Sequence, residues 1–144
     1  IKHDEAVKIV SQIFRQFNAD RLKDSKLILG AAETIKTLSK CGFYIFICTT
    51  RDKSTKTITI EQLSKYDIYY DELVFTKDKV QYAKGLNAFI DDNGHIATAM
   101  ANAGVTSILL DHPWNRKFDI PLRAYNWDDI KQIINFNLTG KSSR

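Results

Sequence analysis

The chain has 144 residues, of which 44% are hydrophobic and 26% charged, with a formal net charge of +4. This composition is typical of one globular domain, and no apolar run approaches the ~18 residues of a membrane-spanning helix. Two cysteines and the lack of an N-terminal signal pattern favour an intracellular protein, cytoplasmic or mitochondrial, with no membrane partner. The lysines are dispersed along the sequence, so nucleic acid is not expected as a partner, although the sequence does not exclude it.

The hydrophobic pattern predicts helices and strands that alternate along the chain. Apolar residues at helical spacing predict an N-terminal helix from Asp4 to Phe17, and Leu27 to Leu29 is a short apolar entry to the next helix. Strands are predicted at Phe43–Cys48, Leu73–Phe75, Phe89–Ile90 and Val105–Leu110. The first is a continuous apolar run, which is typical of a strand buried on both faces. Further helical segments are predicted at Ala31–Lys40, Thr57–Tyr66, Val80–Lys84, His95–Ala103 and Trp127–Phe136.

Alternation of this kind predicts an α/β fold, with a three-layer, Rossmann-like parallel sheet and helices on both faces. We expect residues 1–26 to form a helical segment, residues 27–138 the core and residues 139–144 a disordered tail. The glycine-rich loops GxGxxG and GxxxxGK are both absent from the sequence, so a standard dinucleotide or P-loop site is not expected.

Polar groups follow three of the predicted strands. Thr49 and Thr50 follow the first strand, Lys79 comes soon after the second, and Asp91 and Asp92 follow the third. Because parallel strands end at the same edge of a sheet, we expect these groups to converge on one crevice. Hydroxyls can hold phosphate oxygens, a lysine can neutralise charge and carboxylates can hold Mg²⁺, so the set predicts phosphoryl chemistry.

Each of these residues also has an ordinary structural interpretation. The aspartate pair could cap the next helix, Lys79 could be a surface lysine, and the threonines could bond backbone groups at a strand end. His95 and His112 have no second ligand at metal spacing and are interpreted as ordinary loop or helix-start residues. Trp114 is interpreted as a packing residue. The order of the three polar groups along the chain favours a site.

Several short motifs occur in an order that resembles the haloacid-dehalogenase (HAD) superfamily of phosphohydrolases, and in particular its 5′(3′)-deoxyribonucleotidase family. Residues 46–50 resemble the family's second motif, a strand that ends in a phosphate-binding threonine. The resemblance as a whole extends from about Leu27 to Ile134. The other matching stretches are the turn Gly30–Glu33, the lysine motif Thr76–Lys79, the acidic motif Phe89–Asp92 and the loop Asp111–Arg116.

The resemblance implies a phosphomonoesterase that acts on a nucleoside monophosphate or another small phosphomonoester. Thr49 would bond the substrate phosphate with Thr50 beside it, and Lys53 would contact the phosphate from the following loop. Lys79 would be catalytic, because the family's lysine pairs with both the nucleophile and the phosphate.

The resemblance also implies a Mg²⁺ site, to which Asp91 would bind directly or through water, with Asp92 supporting it from behind. The family's first motif is Asp-x-Asp on the central strand, and it supplies the nucleophile and the general acid/base. No Asp-x-Asp occurs in these 144 residues. The first strand is therefore expected to be missing or replaced, with residues 1–26 corresponding to the end of a helical cap.

Two hypotheses of different classes follow. The first is a Mg²⁺-dependent phosphatase whose nucleophilic aspartate lies upstream, and the second is a pseudoenzyme, a catalytically inactive domain that serves as a structural or interaction subunit of a larger assembly. A polynucleotide-end phosphatase of the same superfamily is a third option, but it needs a basic channel that dispersed lysines do not suggest. Because a sheet without its central strand exposes pairing edges, another protein chain or an N-terminal segment such as Lys26–Leu29 is predicted to fill the gap.

Overall fold

The computed structural model describes residues 8–9 and 30–139, and these contain six strands and four α-helices. The strands are β1 (Lys8–Ile9), β2 (Tyr44–Thr49), β3 (Glu72–Phe75), β4 (Ala88–Asp91), β5 (Thr106–Leu110) and β6 (Arg123–Ala124). The helices are α1 (Ala31–Lys40), α2 (Lys56–Lys65), α3 (Gly94–Asn102) and α4 (Trp127–Ile134). Short 3₁₀ helices span Lys53–Thr55, Lys79–Gly85 and Pro113–Asn115, and a π-helical turn, Asn135–Thr139, continues α4.

All the strand pairs are parallel, as the alternation of helices and strands predicts. β2 pairs with β1 on one side and β3 on the other, while β5 pairs with β4 and β6. β1 also contacts β4, so the two three-stranded sheets meet at β1. The carboxyl ends of β2 and β4 therefore lie on the same edge, on either side of β1.

The N-terminal helix predicted from Asp4 to Phe17 is wrong for the two residues of that segment that the structure describes. Lys8 and Ile9 are extended and pair with Tyr44 and Ile45 of β2. An open strand edge offers unpaired backbone donors and acceptors, and satisfying them outweighs the helical spacing of the apolar side chains. The predicted gap at this edge is occupied by Lys8–Ile9, whereas Lys26–Leu29 lies outside the described residues.

Side chains that alternate along the strands build two apolar layers, one on each face of the sheet. Ile45 and Ile47 of β2 pack in the cluster that includes buried residues of α1 and α4. Phe46 and Cys48 point into a second cluster, which includes Met100 of α3. This alternation confirms the three-layer arrangement, because a strand buried on both faces must be apolar at every position.

The other predicted elements are found within two residues of their predicted ends. Gly42 and Gly104 follow α1 and α3 with φ angles of 99° and 93°, in the left-handed region where glycine ends helices at least cost. The two-residue strand β6 is not predicted, because two residues carry no periodicity. The predicted tail is wrong for Thr139, which belongs to the π-helical turn. Within residues 8–9 and 30–139, no helix has both the length and the apolar character needed to span a membrane.

Candidate active site

A cavity of about 410 Å³ opens where β2 and β4 end. Its wall is made by the first residue after β2, the turn from β4 into α3, and the loop that follows β5. The lining residues are Thr50, Asp92, Asn93, Gly94, His95, Ile96, Trp114, Asn115, Lys117 and Phe118. Open parallel sheets bind their ligands at this edge, so the cavity lies where the sequence predicts a site.

Lys79 and Asp91 form an ion pair below the sheet edge. The Lys79 Nζ donates a hydrogen bond of 2.8 Å to Asp91 Oδ2, and the two side chains are only 1% and 0% exposed. The other oxygen, Oδ1, accepts from the backbone N–H groups of Asp92 and Asn93 at 2.7 and 3.2 Å. A buried carboxylate needs such partners, because each unpaired buried charge is costly. Neither member of the pair lines the cavity.

Cys48, the second-last residue of β2, shows how near the Lys79–Asp91 ion pair lies to the end of this strand. Burial raises the pKa of the Cys48 thiol to about 11, while the charge of Lys79 lowers the pKa and that of Asp91 raises it. The ion pair therefore lies close enough to the end of β2 for its charges to act on the thiol. Of the groups singled out from the sequence, Lys79 and Asp91 are in direct contact, and Thr50 and Asp92 line the cavity.

Asp92 faces the cavity, in contrast to its neighbour. Successive strand-end residues point to opposite sides, so one acid of the pair is directed inward and the other towards the ligand space. The Asp92 carboxylate is 16% exposed, and its Oδ2 lies 3.8 Å from His112 Nε2. Its backbone carbonyl accepts a hydrogen bond of 2.9 Å from Asn115 Nδ2.

The two threonines at the end of β2, Thr49 in the strand and Thr50 just after it, also differ. The Thr49 hydroxyl accepts a hydrogen bond of 3.1 Å from the backbone N–H of Arg51, which is the ordinary strand-end role that the sequence leaves open. Thr50 lines the cavity together with Asp92. Lys53 lies exposed in the 3₁₀ helix after β2 and does not line the cavity.

Asn115 joins the loop after β5 to the end of β4, a role that the sequence does not indicate. It is 1% exposed, and its Nδ2 donates to the carbonyl oxygens of Asp92 and Leu110 at 2.9 and 2.8 Å. Its Oδ1 accepts from the His112 N–H and from Arg123 Nη1, both at 3.0 Å. An asparagine in a polar loop resembles any turn residue, and only its burial shows that it holds the cavity wall in place.

Arg123 fixes the same loop from β6. Its guanidinium donates to the Asp111 carboxylate at 2.8 Å and to the Phe118 carbonyl at 2.8 Å, at the two ends of the loop. Arg116 also donates to Asp111, at 2.9 Å. The hydrogen bond from Arg116, supported by Arg123 and opposed by partial desolvation, holds the pKa of the Asp111 carboxyl below its usual range. These contacts tie both ends of the loop after β5 to β6.

Aromatic side chains form the rest of the cavity wall. Trp114 is 49% exposed and stacks on His112, with ring centroids 4.3 Å apart and planes 6° from parallel. Phe118 packs edge-on against His95 at 4.7 Å. Phe118 also covers Gly94 so closely that a Cβ there would come within 2.2 Å of its ring, so this helix start requires glycine.

The metal-binding potential of the site depends on the acid pair. Within residues 8–9 and 30–139, no cluster of three or more His, Cys, Asp or Glu side chains is arranged to hold a metal ion. Mg²⁺, however, is commonly bound by one or two carboxylates together with substrate phosphates and water. The cavity-facing carboxylate of Asp92 fits a Mg²⁺ ion shared with a bound phosphate, and it does not make a site from protein groups alone.

The fold defines the class of the protein as an α/β domain with a parallel sheet and helices on both faces, which solved phosphatases share. The D,D-heptose 1,7-bisphosphate phosphatase of Burkholderia thailandensis superposes with a TM-score of 0.67 at 11% identity, over 90% of this chain and 97% of that one. The cobalt-bound deoxy-D-mannose-octulosonate 8-phosphate phosphatase of Haemophilus influenzae gives a TM-score of 0.61 at 13% identity, over 99% and 90% of the two chains. At this low identity, these likenesses concern the fold alone.

Residues 7–142 match the family described as "5′ nucleotidase, deoxy (Pyrimidine), cytosolic type C protein", and the chain belongs to this family. A protein of Clostridium acetobutylicum that is named as a nucleotidase is 37% identical over 133 residues, which is 86% of this chain and 67% of that protein. These matches confirm the resemblance to HAD-type nucleotidases that the motifs indicate.

Proposed function

We propose that this domain binds the phosphate group of a nucleoside monophosphate in the Thr50–Asp92 cavity and contributes to a Mg²⁺-dependent phosphomonoesterase. The observation that carries the proposal is that the hydroxyl-bearing end of β2 and the acidic end of β4 open onto one cavity, with a lysine buried beneath it. Membership of a nucleotidase family and the name of the Clostridium acetobutylicum relative support the substrate class.

Each side chain has a role that follows from its contacts. The Thr50 hydroxyl donates to a phosphate oxygen, and Lys117 at the cavity wall offsets its negative charge. Thr49 and Lys53, which the resemblance also assigns to the phosphate, would act from the neighbouring loop. Asp92 holds the Mg²⁺ ion from the cavity side.

Asp91 and Lys79 support this site from below. The two backbone N–H groups on Asp91 Oδ1 fix the turn that carries Asp92, and the Lys79 ammonium fixes the other oxygen. These contacts favour Asp92 over Asp91 as the direct metal ligand. A Mg²⁺ ion bound there supplies charge neutralisation for the phosphate. Lys79 keeps the electrostatic role that the family resemblance implies, because its positive charge lies just under the anion-binding end of the sheet.

The proposal requires a nucleophile from outside residues 1–144. Covalent phosphoryl transfer of the family type needs an aspartate that this sequence does not contain in an Asp-x-Asp motif. The place for such a strand is next to β2 and β4, where β1 now lies. An upstream segment or another chain that provides the aspartate would have to replace β1 at this position.

The binding part of the proposal is tested by titrating the protein with thymidine 5′-monophosphate in a calorimeter, with and without Mg²⁺. We expect Mg²⁺ to tighten binding, Asp92→Asn to remove that effect, and Thr50→Val to weaken binding about tenfold, the effect of one hydrogen bond to a charged group. Asp128→Asn, which changes an exposed carboxylate of α4, is the matched control and should bind as the wild type does. Unchanged Mg²⁺-dependent binding by Asp92→Asn would remove the cavity from the proposal.

A second candidate function, a catalytically inactive domain with a structural or interaction role, is favoured by one specific observation. The Lys79–Asp91 pair is closed and buried, so each group already has its partner without a nucleophile or phosphate. Phosphate release from thymidine 5′-monophosphate by the full-length gene product separates the two. Mg²⁺-dependent release that is lost in Asp92→Asn supports the enzyme, and binding without any release supports the inactive domain.

A further inference from the structure

We propose that Trp114 is the platform on which the nucleobase of the substrate stacks. This inference rests on the proposed function, since it names the residue that recognises the base of the nucleoside monophosphate. Trp114 lines the same cavity as Thr50 and Asp92, and its side chain is 49% exposed. A tryptophan that is half accessible in a cavity with phosphate-binding groups offers a flat apolar surface to an aromatic ligand.

The orientation of the Trp114 ring is set before any ligand binds. His112 stacks on the indole with planes 6° from parallel, and the His112 ring also lies 3.8 Å from the Asp92 carboxylate. The indole is therefore one imidazole ring away from the acid that faces the phosphate.

The backbone that carries Trp114 is equally constrained. Pro113 limits the conformation before it, and Asn115 after it is fully buried and anchored to the end of β4. Arg123 ties the loop to β6. A preorganised aromatic ring binds at a lower entropy cost than a mobile one, which favours recognition over incidental exposure.

The cavity has both chemical characters that a nucleoside monophosphate needs. Thr50, Asp92 and Lys117 provide polar groups for the phosphate and its metal ion, while Trp114, Phe118 and Ile96 provide apolar surface. The volume of about 410 Å³ lies in the range of small-molecule sites. A free sugar phosphate would leave the aromatic part of the wall uncovered.

The test compares two ligands that share a phosphate and a sugar, thymidine 5′-monophosphate and 2-deoxyribose 5-phosphate, by calorimetric titration in Mg²⁺. Trp114→Ala should weaken binding of the nucleotide about tenfold, within the range for loss of one stacked aromatic ring, and leave the sugar phosphate unchanged. Trp114→Phe should retain most of the affinity. Tryptophan emission is a second readout, because nucleotide should quench Trp114 whereas the fully buried Trp127 remains as an internal reference.

The controls separate failure of this inference from failure of the proposed function. Phe136→Ala removes another exposed aromatic ring outside the cavity and should bind both ligands as the wild type does. If the wild type binds both ligands equally, or if Trp114→Ala binds the nucleotide normally, the platform is refuted while phosphate binding stands. If the wild type binds neither ligand, the proposed function fails and this inference falls with it. Matching melting temperatures for the variants exclude unfolding as the cause.

Discussion

Asp91 and Asp92 are adjacent in sequence at the sheet edge, but they have opposite environments. One lies in a buried lower layer and the other in an upper layer that opens onto the cavity. Below the edge, Asp91 is sealed from solvent with Lys79, whereas Asp92, in the upper layer, opens onto the cavity beside Thr50. In the lower layer both oxygens of the Asp91 carboxylate accept hydrogen bonds, and the upper layer retains space for a ligand. The comparison teaches that two residues adjacent in sequence can differ in role: the lower acid is part of the buried interior, and the upper acid is the one available to the ligand we propose.

The largest expected effect comes from breaking the lower layer. Lys79→Met should lower the free energy of unfolding by ~3–5 kcal/mol, because it leaves a buried carboxylate without its cation. The double variant Lys79→Met/Asp91→Leu should recover much of that loss, since no buried charge remains. Urea denaturation at neutral pH measures both.

The matched control for this prediction is the exposed ion pair of Lys36 and Asp67. Their side chains are 44% and 77% exposed, and Lys36→Met should cost no more than ~1 kcal/mol because solvent screens surface pairs. Similar losses for Lys36→Met and Lys79→Met would contradict the contrast between the buried layer and the surface.

The next largest effect is expected for Asn115, which connects the loop after β5 to the end of β4. Asn115→Ala removes hydrogen bonds to Asp92, Leu110, His112 and Arg123 and should cost ~2–3 kcal/mol, because buried backbone groups lose their partners.

Asn137→Ala is the comparison for that loss, since Asn137 donates one local hydrogen bond to the Ile133 carbonyl. Its cost should stay near ~1 kcal/mol. Equal denaturation midpoints for the two alanine variants would mean that Asn115 does not hold the cavity wall.

A smaller effect is expected at the start of α3. Gly94→Ala should cost ~1–2 kcal/mol, because the added methyl group overlaps the Phe118 ring and overpacking outweighs the better helix propensity of alanine. In the background of Phe118→Ala, the same substitution should become neutral or stabilising. A thermodynamic cycle of the four proteins measures the coupling, and additive losses would show that the two residues do not clash.

The smallest effect concerns acid stability. The pKa of Asp111 is lower in the folded protein than its usual value of 3.8, so its contacts with Arg116 and Arg123 stabilise the fold above that value. This contribution is lost as the pH falls through the lowered pKa. Asp111→Asn should therefore be less stable than the wild type at pH 7, with a difference in denaturation midpoint that shrinks below about pH 4. A difference that stays constant down to pH 3 would indicate that the carboxylate charge plays no part.

The sequence predicts most of the fold because the buried elements are locally unambiguous. The run before Thr49 in β2 is apolar at every position, and α1 and α4 each bury one apolar face. The N-terminal segment is the exception. Its apolar residues have helical spacing, but Lys8 and Ile9 pair with β2, because the need to satisfy a strand edge does not appear in local periodicity.

The site was predicted only in part for a related reason. Thr50 and Asp92, which line the cavity, could be singled out from their positions at strand ends, because a parallel sheet brings such positions together. Thr49 and Lys53 were also singled out and do not line the cavity. Asn115 and Arg123 could not be singled out, since their roles come from contacts between the loop after β5 and the ends of β4 and β6.

By itself, the sequence determined that strands and helices alternate, that the strands run parallel, and that hydroxyl, ammonium and carboxylate groups gather at one edge. These features follow from chain connectivity and from the burial of apolar residues. Only the tertiary structure decided which of the adjacent acids is sealed with the lysine and which faces the cavity. That choice depends on the direction of each side chain at the strand end and on the partners brought there by distant segments.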